Sequence, residues 1–495
     1  MDQITTSVFI TIIVVYFSLL ILISHFTSRK SDNQTFFLNN RSSPWILVAI
    51  GMIGASLSGV TFISIPGVVG ADGPNTQFSY MQMVMGYLLG YLVIATVLMP
   101  IYYRMNLTSI YGYFGERFGM NSYKTAAGYF ILSRLLGASF RLYLVAMVLQ
   151  LFVMDQFNIH FIWTVLITIV LIWVYTFRGG IKTIVVTDTL QTFSMLTAVV
   201  LTIWYIGKAM DLNSVGEIVD TIRQSEYSRW WFFDRGWNDP NNFFKQFISG
   251  ALIALVMTGM DQDMMQKNLS CKNIISAQKN MFTFSIILFF ANILFLSLGA
   301  LLYIFAVTKG IDIPANTDQL YPVIALSHLP SVVGILFVLG LIAAAYSSAD
   351  SALTSLTTSF CIDFLGFERR DKHEKWKKST RLKVHIGFSF LTLIIIVAFK
   401  YLVDSAVING LFIAAGYTYG PILGLFTYGI LTRKKIKDKW VVLVCILAPI
   451  ITYVIDRNSQ IWLNGFQFGF TVLALNGILT IIGLMVITKK SGTNG

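Results

Sequence analysis

Long apolar runs alternate with short polar connections along the whole chain. A bilayer is crossed by about 20 apolar residues in helical form. Runs of that order fall at 7–27, 45–69, 77–103, 124–153, 159–177, 184–207, 243–265, 276–308, 331–361, 383–403, 405–431, 439–456 and 463–488. The pattern predicts an all-α membrane protein with about thirteen transmembrane helices in one membrane domain. Two connections are long. Residues 209–242 hold Trp230, Trp231, Trp237 and mixed charges, which reads as a folded cap or a short interfacial helix. Residues 366–382 are a charge-rich hinge of solvated type.

One run departs from the rest. Residues 45–70 carry no charge, yet Gly51, Gly54, Gly59, Gly67, Gly70 and Pro66 are poor helix formers, with Ser56, Ser58, Thr61 and Ser64 among them. Small residues also let helices approach closely, so a plain packing helix would show the same composition. The alternative is a helix broken in mid-membrane. Such a break is tolerated only where protein or water satisfies the freed backbone, and it leaves carbonyls and half-helix ends free to bind ions or solute.

Charge gives the chain a direction. Only 12% of the 495 residues are charged and 55% are hydrophobic, against ~25% charged in soluble domains. The net charge of +12 is explained by lysine and arginine on the inner side rather than by nucleic acid. With the N-terminus outside, most of the 36 basic residues fall in inner loops, including Arg29, Lys30, Arg41, Arg178, Lys182, Lys267, the cluster from Arg369 to Lys383 and Lys490. The C-terminus is then cytoplasmic. The first run has no basic segment before it and no small-residue cleavage site after it, so a cleaved signal is not expected. Cys271, Cys361 and Cys445 show no disulfide or zinc spacing.

Ionisable groups at membrane depth are costly and usually functional. Arg134 and Arg141 lie seven apart on one face of the fourth span, the first of them about 15 Å from its inner end. They are either structural arginines held by an acidic partner or guanidinium groups for a carboxylate-bearing solute. Asp188 opens the sixth span and could be a simple interfacial carboxylate. Asp350 lies among Ser347, Ser348, Ser351 and Ser355; this is either a small-residue packing seam or an oxygen-rich cation site. Asp261, Gln262, Asp263 and Gln266 at the inner end of the seventh span read as capping and loop tethering. No phosphate loop or metal-type histidine pair is present, so an enzyme is not expected. A secondary transporter or a membrane-embedded sensor or channel remains.

The chain resembles the sodium:solute symporter family. The residues that carry the resemblance are 55–66 (Ala-Ser-Leu-Ser-Gly-Val-Thr-Phe-Ile-Ser-Ile-Pro), 107–118, 175–180 leading to Asp188, 262–267, 343–351 and 420–424. The resemblance implies a LeuT-like fold of two inverted five-helix repeats with broken first helices, at 45–208 and 243–431. Residues 1–44 would add an N-terminal helix and loop, 209–242 an extracellular loop, and 432–495 two C-terminal helices and a tail. The second broken helix would have Gly250 and Gly259 as candidate breaks. A sodium ion (Na+) would be held by the carbonyls of Gly54, Leu57 and Ala344 and the hydroxyls of Ser347 and Ser348.

Some members of the family bind a second cation, for which Asp188, Ser347, Asp350 and Ser351 are the matching positions. Asp350 stands where the sialic acid transporters have serine. Two nearby carboxylates would repel unless a cation or proton sat between them, or Asp350 paired with a base such as Lys182. The first repeat helix is most similar to sodium/sialic acid symporters, which makes Ser56, Ser58, Thr61, Gln82, Arg134 and Arg141 the expected solute contacts. The arginine position of those symporters aligns with Gly137, a turn from each arginine here. The expected function is sodium-coupled symport of a sugar acid such as sialic acid across the inner membrane; a neutral sugar, vitamin or amino acid is the alternative. The expected partners are the solute, sodium and the lipid bilayer, with no nucleic acid and no oligomer required.

Overall fold

The computed structural model describes residues 6–27, 37–152, 154–176, 180–367, 373–402 and 407–489. Arg29, Lys30, Arg178, Arg369, Arg370, Lys372 and Lys490, on which part of the charge asymmetry rests, lie outside the described residues.

The chain forms α1 (Thr6–Thr27), α2 (Trp45–Ser56), α3 (Gly59–Val68), α4 (Tyr80–Val93), α5 (Met120–Phe152), α6 (Phe161–Thr176), α7 (Gly180–Ala209) and α8 (Val215–Gln224). There follow α9 (Phe243–Ala254), α10 (Gln262–Leu269), α11 (Ile274–Lys309), α12 (Ser331–Ser359), α13 (Glu374–Phe399), α14 (Val407–Leu431), α15 (Val441–Trp462) and α16 (Val472–Val486). Among the described residues, nine helices are long and apolar enough to cross a membrane. Two more spans are bent pairs, α2–α3 at 53° and α9–α10 at 62°, and shorter apolar helices at Ile13–Thr27 and Phe161–Val174 fall on the remaining two runs. The bent pairs open two five-helix repeats, α2 to α7 and α9 to α14.

The first break falls inside Ser-Leu-Ser-Gly. Leu57 (φ −80°, ψ 70°) and Ser58 (φ −75°, ψ −179°) leave the helical region, and the chain turns helical again at Gly59. Serines offer the backbone competing hydrogen bonds. Gly59 also admits α5, since a Cβ there would stand 3.2 Å from Val145 Cγ2. The second break follows Gly259, where a wide helical turn (Leu255–Gly259) gives way to Met260 and Asp261. Gly250, the other expected break, lies within continuous helix. Its role is packing: a Cβ there would come 2.0 Å from Met83 O, and one on Gly86 would come 2.1 Å from Phe247 O. Gly86, Gly90, Gly250 and Ala254 thus form a small-residue seam where α4 crosses α9.

The long connection between α7 and α9, expected to be a folded cap or a short interfacial helix, contains the short helix α8. Ser214 caps α8 by accepting from Glu217 N at 3.2 Å, and Ile218 and Ile222 face inward.

Candidate functional site

The end of a helix leaves its last carbonyls without partners, and at the first break they stay that way. Leu57 N donates to Ile53 O at 2.7 Å. Among the described residues no donor reaches the carbonyls of Gly54 or Leu57. Opposite them stands α12. A Cβ on Gly54 would lie 3.1 Å from Ser347 Oγ and 2.5 Å from Thr192 Oγ1, so glycine is what lets α2 close on α12 and α7. Ser348 Oγ donates to the carbonyls of Ala344 (3.2 Å) and Ala345 (3.1 Å). Carbonyls without donors thus lie on the helix that packs against the Ser347 and Ser348 segment of α12; oxygen atoms of this kind are what a hard cation uses as ligands.

Asp188 is not a solvent-exposed carboxylate. It is fully buried, with Gly51 of α2 packed against its Cβ position. Ser347 Oγ donates to its Oδ1 at 2.7 Å and Lys267 Nζ to its Oδ2 at 2.6 Å. The base that reaches Asp188 therefore comes from α10. Lys182 lies in the same helix as Asp188 but is exposed. Asp350 is buried on α12 and accepts from Ser351 N at 2.5 Å.

Beside the first break lies a pocket of about 680 Å³, open solvent included. Ser56, Ser58 and Thr61 line one wall and Arg134 and Arg141 another. The two arginines differ in what holds them. Arg134 is hydrogen-bonded to Asp263, with Asp261 4.0 Å away. Asp261 also accepts from Tyr419 OH and caps α10 through Asp263 N at 2.8 Å. Gln262 tethers residues 108–110, accepting from Ile110 N (2.9 Å) and donating to Thr108 O (2.8 Å), and Gln266 donates to Phe37 O. The polar end of the seventh span is therefore capping and tethering, as expected, with Arg134 tied into it. Arg141 is buried on the cavity wall, and among the described residues its Nε and Nη1 have no hydrogen-bond partner. Between the two, Gly137 faces a smaller pocket shared with Tyr419 and Leu411.

Gln82 is buried but does not line this cavity. Its Nε2 donates to Asn241 O at 2.9 Å, and its Oε1 accepts from Phe232 N at 3.0 Å. It fastens the connection between α7 and α9 across the start of α4. Asn241 extends that fastening, accepting from Asn75 N at 2.8 Å and donating to Gly73 O at 2.9 Å.

Lining residues absent from the sequence reading are Tyr80, Tyr87, Tyr91, Thr258, Asn292 and Phe412. The tyrosines recur at helical spacing on α4, which is the only signal the sequence offered for them. Tyr80 and Tyr87 share a hydroxyl contact of 3.0 Å. Asn292 donates to Leu288 O, and its Oδ1 has no partner.

Two bent spans, one of them bordering a pocket lined by serines, a threonine and two arginines, give the architecture of a secondary transporter with broken helices. The model of the sodium:solute symporter family matches residues 36–438, and the chain belongs to that family. It is similar to the sodium/sialic acid symporter NanT of Aliivibrio fischeri (strain ATCC 700601 / ES114), with 25% identity over 460 residues, 90% of this chain and 86% of that one. The sodium/sialic acid symporter SiaT of Proteus mirabilis is 24% identical over 469 residues, 92% and 90% of the two chains. In three dimensions the chain matches a sodium-coupled sialic acid symporter in its substrate-bound outward-open state. The TM-score is 0.81 at 20% identity, covering 97% and 98% of the two chains. At that identity the likeness is one of fold. The protein is a multi-pass membrane transporter that couples solute import to sodium.

Proposed function

We propose that the imported solute is a small organic anion, a sialic-acid-like sugar acid, and that Arg141 holds its carboxylate. One observation carries this reading: Arg141 is a buried guanidinium on the cavity wall with two nitrogens unpaired. A buried charge without a partner is expensive. A solute carboxylate would offset that cost with charge-assisted, often bidentate, hydrogen bonds. Arg134 needs no solute for this, since Asp263 already pairs it. Ser56, Ser58 and Thr61 would take the hydroxyls of a polyol, with Asn292 Oδ1 accepting from an O–H or N–H. Gln82 would shape the outer end of the site through the loop it fastens.

Sodium would bind the carbonyls of Gly54, Leu57 and Ala344 and the hydroxyls of Ser347 and Ser348. It would thereby join the first broken helix to α12 and stiffen the wall that carries Ser56 and Ser58. Solute and ion would bind one after the other by alternating access, with no chemical conversion. The N-terminus would face outward and the C-terminus the cytoplasm of the inner membrane. A single chain would suffice, divided at 45–208 and 243–431 into its two repeats.

The test is thermal stabilisation of purified protein by sialic acid and by its uncharged amide, each in sodium and in choline. Stabilisation by the acid in sodium alone supports the proposal. Equal stabilisation by acid and amide removes it.

A further inference from the structure

We infer that Lys267 is a tethered cation occupying the position at Asp188 that a second coupling ion would take, so that this transporter moves about one sodium per solute. The inference rests on the sodium site proposed above. Both oxygens of Asp188 are engaged, Oδ1 by the Ser347 hydroxyl at 2.7 Å and Oδ2 by the Lys267 ammonium at 2.6 Å. Both side chains of the ion pair are at most 1% exposed, so solvent does not screen them. An ammonium within hydrogen-bond reach and a sodium within coordination distance of one buried carboxylate would repel each other strongly in a low dielectric. The carboxylate can therefore hold one or the other.

The lysine is also fixed in place. It lies in the last turn of α10, where its carbonyl accepts from Ser270 Oγ at 2.7 Å and Ser270 N at 3.2 Å. At the other end of α10, Asp261 caps the helix and pairs with Arg134. The ammonium cannot leave Asp188 by swinging on a flexible loop.

Ser347 lies on the boundary between the two charges. It spends its hydrogen on Asp188, which leaves its oxygen lone pairs for the first sodium beside Gly54. Ser351 Oγ, one turn on along α12, has no hydrogen-bond partner among the described residues, and Asp350 next to it is buried. Removing the ammonium would thus leave a buried carboxylate bonded to the Ser347 hydroxyl, with Ser351 one turn on along α12, and a sodium ion could take the vacated place. Lys267 is on this view the residue that sets ion stoichiometry, and it acts without touching the solute.

The experiment compares wild type, Lys267→Arg, Lys267→Met and Lys267→Met with Asp188→Asn. Uptake into vesicles is measured against sodium, and melting is measured in sodium and in choline. The Hill coefficient for sodium reaches at most the number of sites, so wild type and Lys267→Arg should give about one and Lys267→Met should rise towards about two. Sodium should also raise the melting temperature of Lys267→Met by more than that of wild type. In the neutral double variant the extra sodium effect should vanish. A wild-type coefficient near two overturns the inference, whether or not the variants fold. So does a Lys267→Met protein whose coefficient and sodium stabilisation match wild type. Sodium that fails to stabilise even wild type contradicts the underlying sodium site as well, which separates the two failures. A Lys267→Met protein that stays folded only in sodium supports the inference.

Discussion

The two broken helices are counterparts in the fold and opposites in chemistry. The break between α2 and α3 carries no charge, and its carbonyls at Gly54 and Leu57 are left without donors. At the break between α9 and α10 the carbonyls are taken: Tyr102 OH donates to Gly259 O and Tyr111 OH to Met260 O, each at 2.9 Å. Asp261 closes the N-terminus of α10, Asp263 pairs with Arg134, and Lys267 pairs with Asp188. Satisfied polar groups hold a shape, and unsatisfied ones await a ligand. One half-helix end is therefore the one open to the proposed ligands and the other bears the structure, although the fold places them as counterparts.

The largest effect should come from breaking the second of these. Asp263→Ala leaves Arg134 buried without its main partner, and cutting one member of a buried pair costs about 3–5 kcal/mol. Little folded protein should survive extraction, as read by fluorescence-detected size exclusion. Arg134→Gln combined with Asp263→Asn should recover more than either loss alone predicts. If Asp263→Ala folds and melts like wild type, the second break is not the structural one.

At the first break the prediction runs the other way. Ser347→Ala with Ser348→Ala should raise the half-saturating sodium concentration at least ~10-fold, since each lost hydroxyl contact is worth about 1 kcal/mol. Melting in the absence of sodium should fall by no more than the loss of the Ser347 hydrogen bond to Asp188 explains, about 1.5–3 kcal/mol. An unaltered half-saturating concentration would take these hydroxyls out of the sodium site.

A smaller effect is expected at Gln82. Its two hydrogen bonds to the connection between α7 and α9 are neutral, each costing about 1–3 kcal/mol when the buried partner is left unsatisfied, so Gln82→Ala should lower the melting temperature, though less than Asp263→Ala does. It should weaken solute binding less than Arg141→Gln does. The reverse order, measured by calorimetry, would make Gln82 a solute contact.

Much of this was legible in the chain because the bilayer is a demanding solvent. Every span must satisfy its own backbone, so thirteen apolar runs translate into helices, and Ser-Leu-Ser-Gly inside one of them marks a break. Gly259 marked the second break within two residues, while Gly250 misled because a close helix crossing demands glycine just as a break does. The pairings could not be read. Arg134 finds Asp263 across 129 residues and Lys267 finds Asp188 across 79, and only the folded bundle shows which of several bases and acids meet. For the same reason Arg134 and Arg141 looked equivalent in sequence, and only their partners separate them. Tyr80, Tyr87 and Tyr91 stayed hidden because an aromatic stripe on a helix usually means core packing.

The central claim is that the uncharged break and the unpaired Arg141 together form a sodium-dependent anion site. Isothermal titration of sialic acid into wild type and Arg141→Gln, in sodium and in choline, tests it most directly. Losing a charge-assisted contact of ~1.5–3 kcal/mol corresponds to roughly 10- to 100-fold in affinity. Wild type should bind in sodium only, and Arg141→Gln should bind weaker by that factor while keeping its stabilisation by sodium. An Arg141→Gln protein that binds the acid as tightly as wild type would contradict the account.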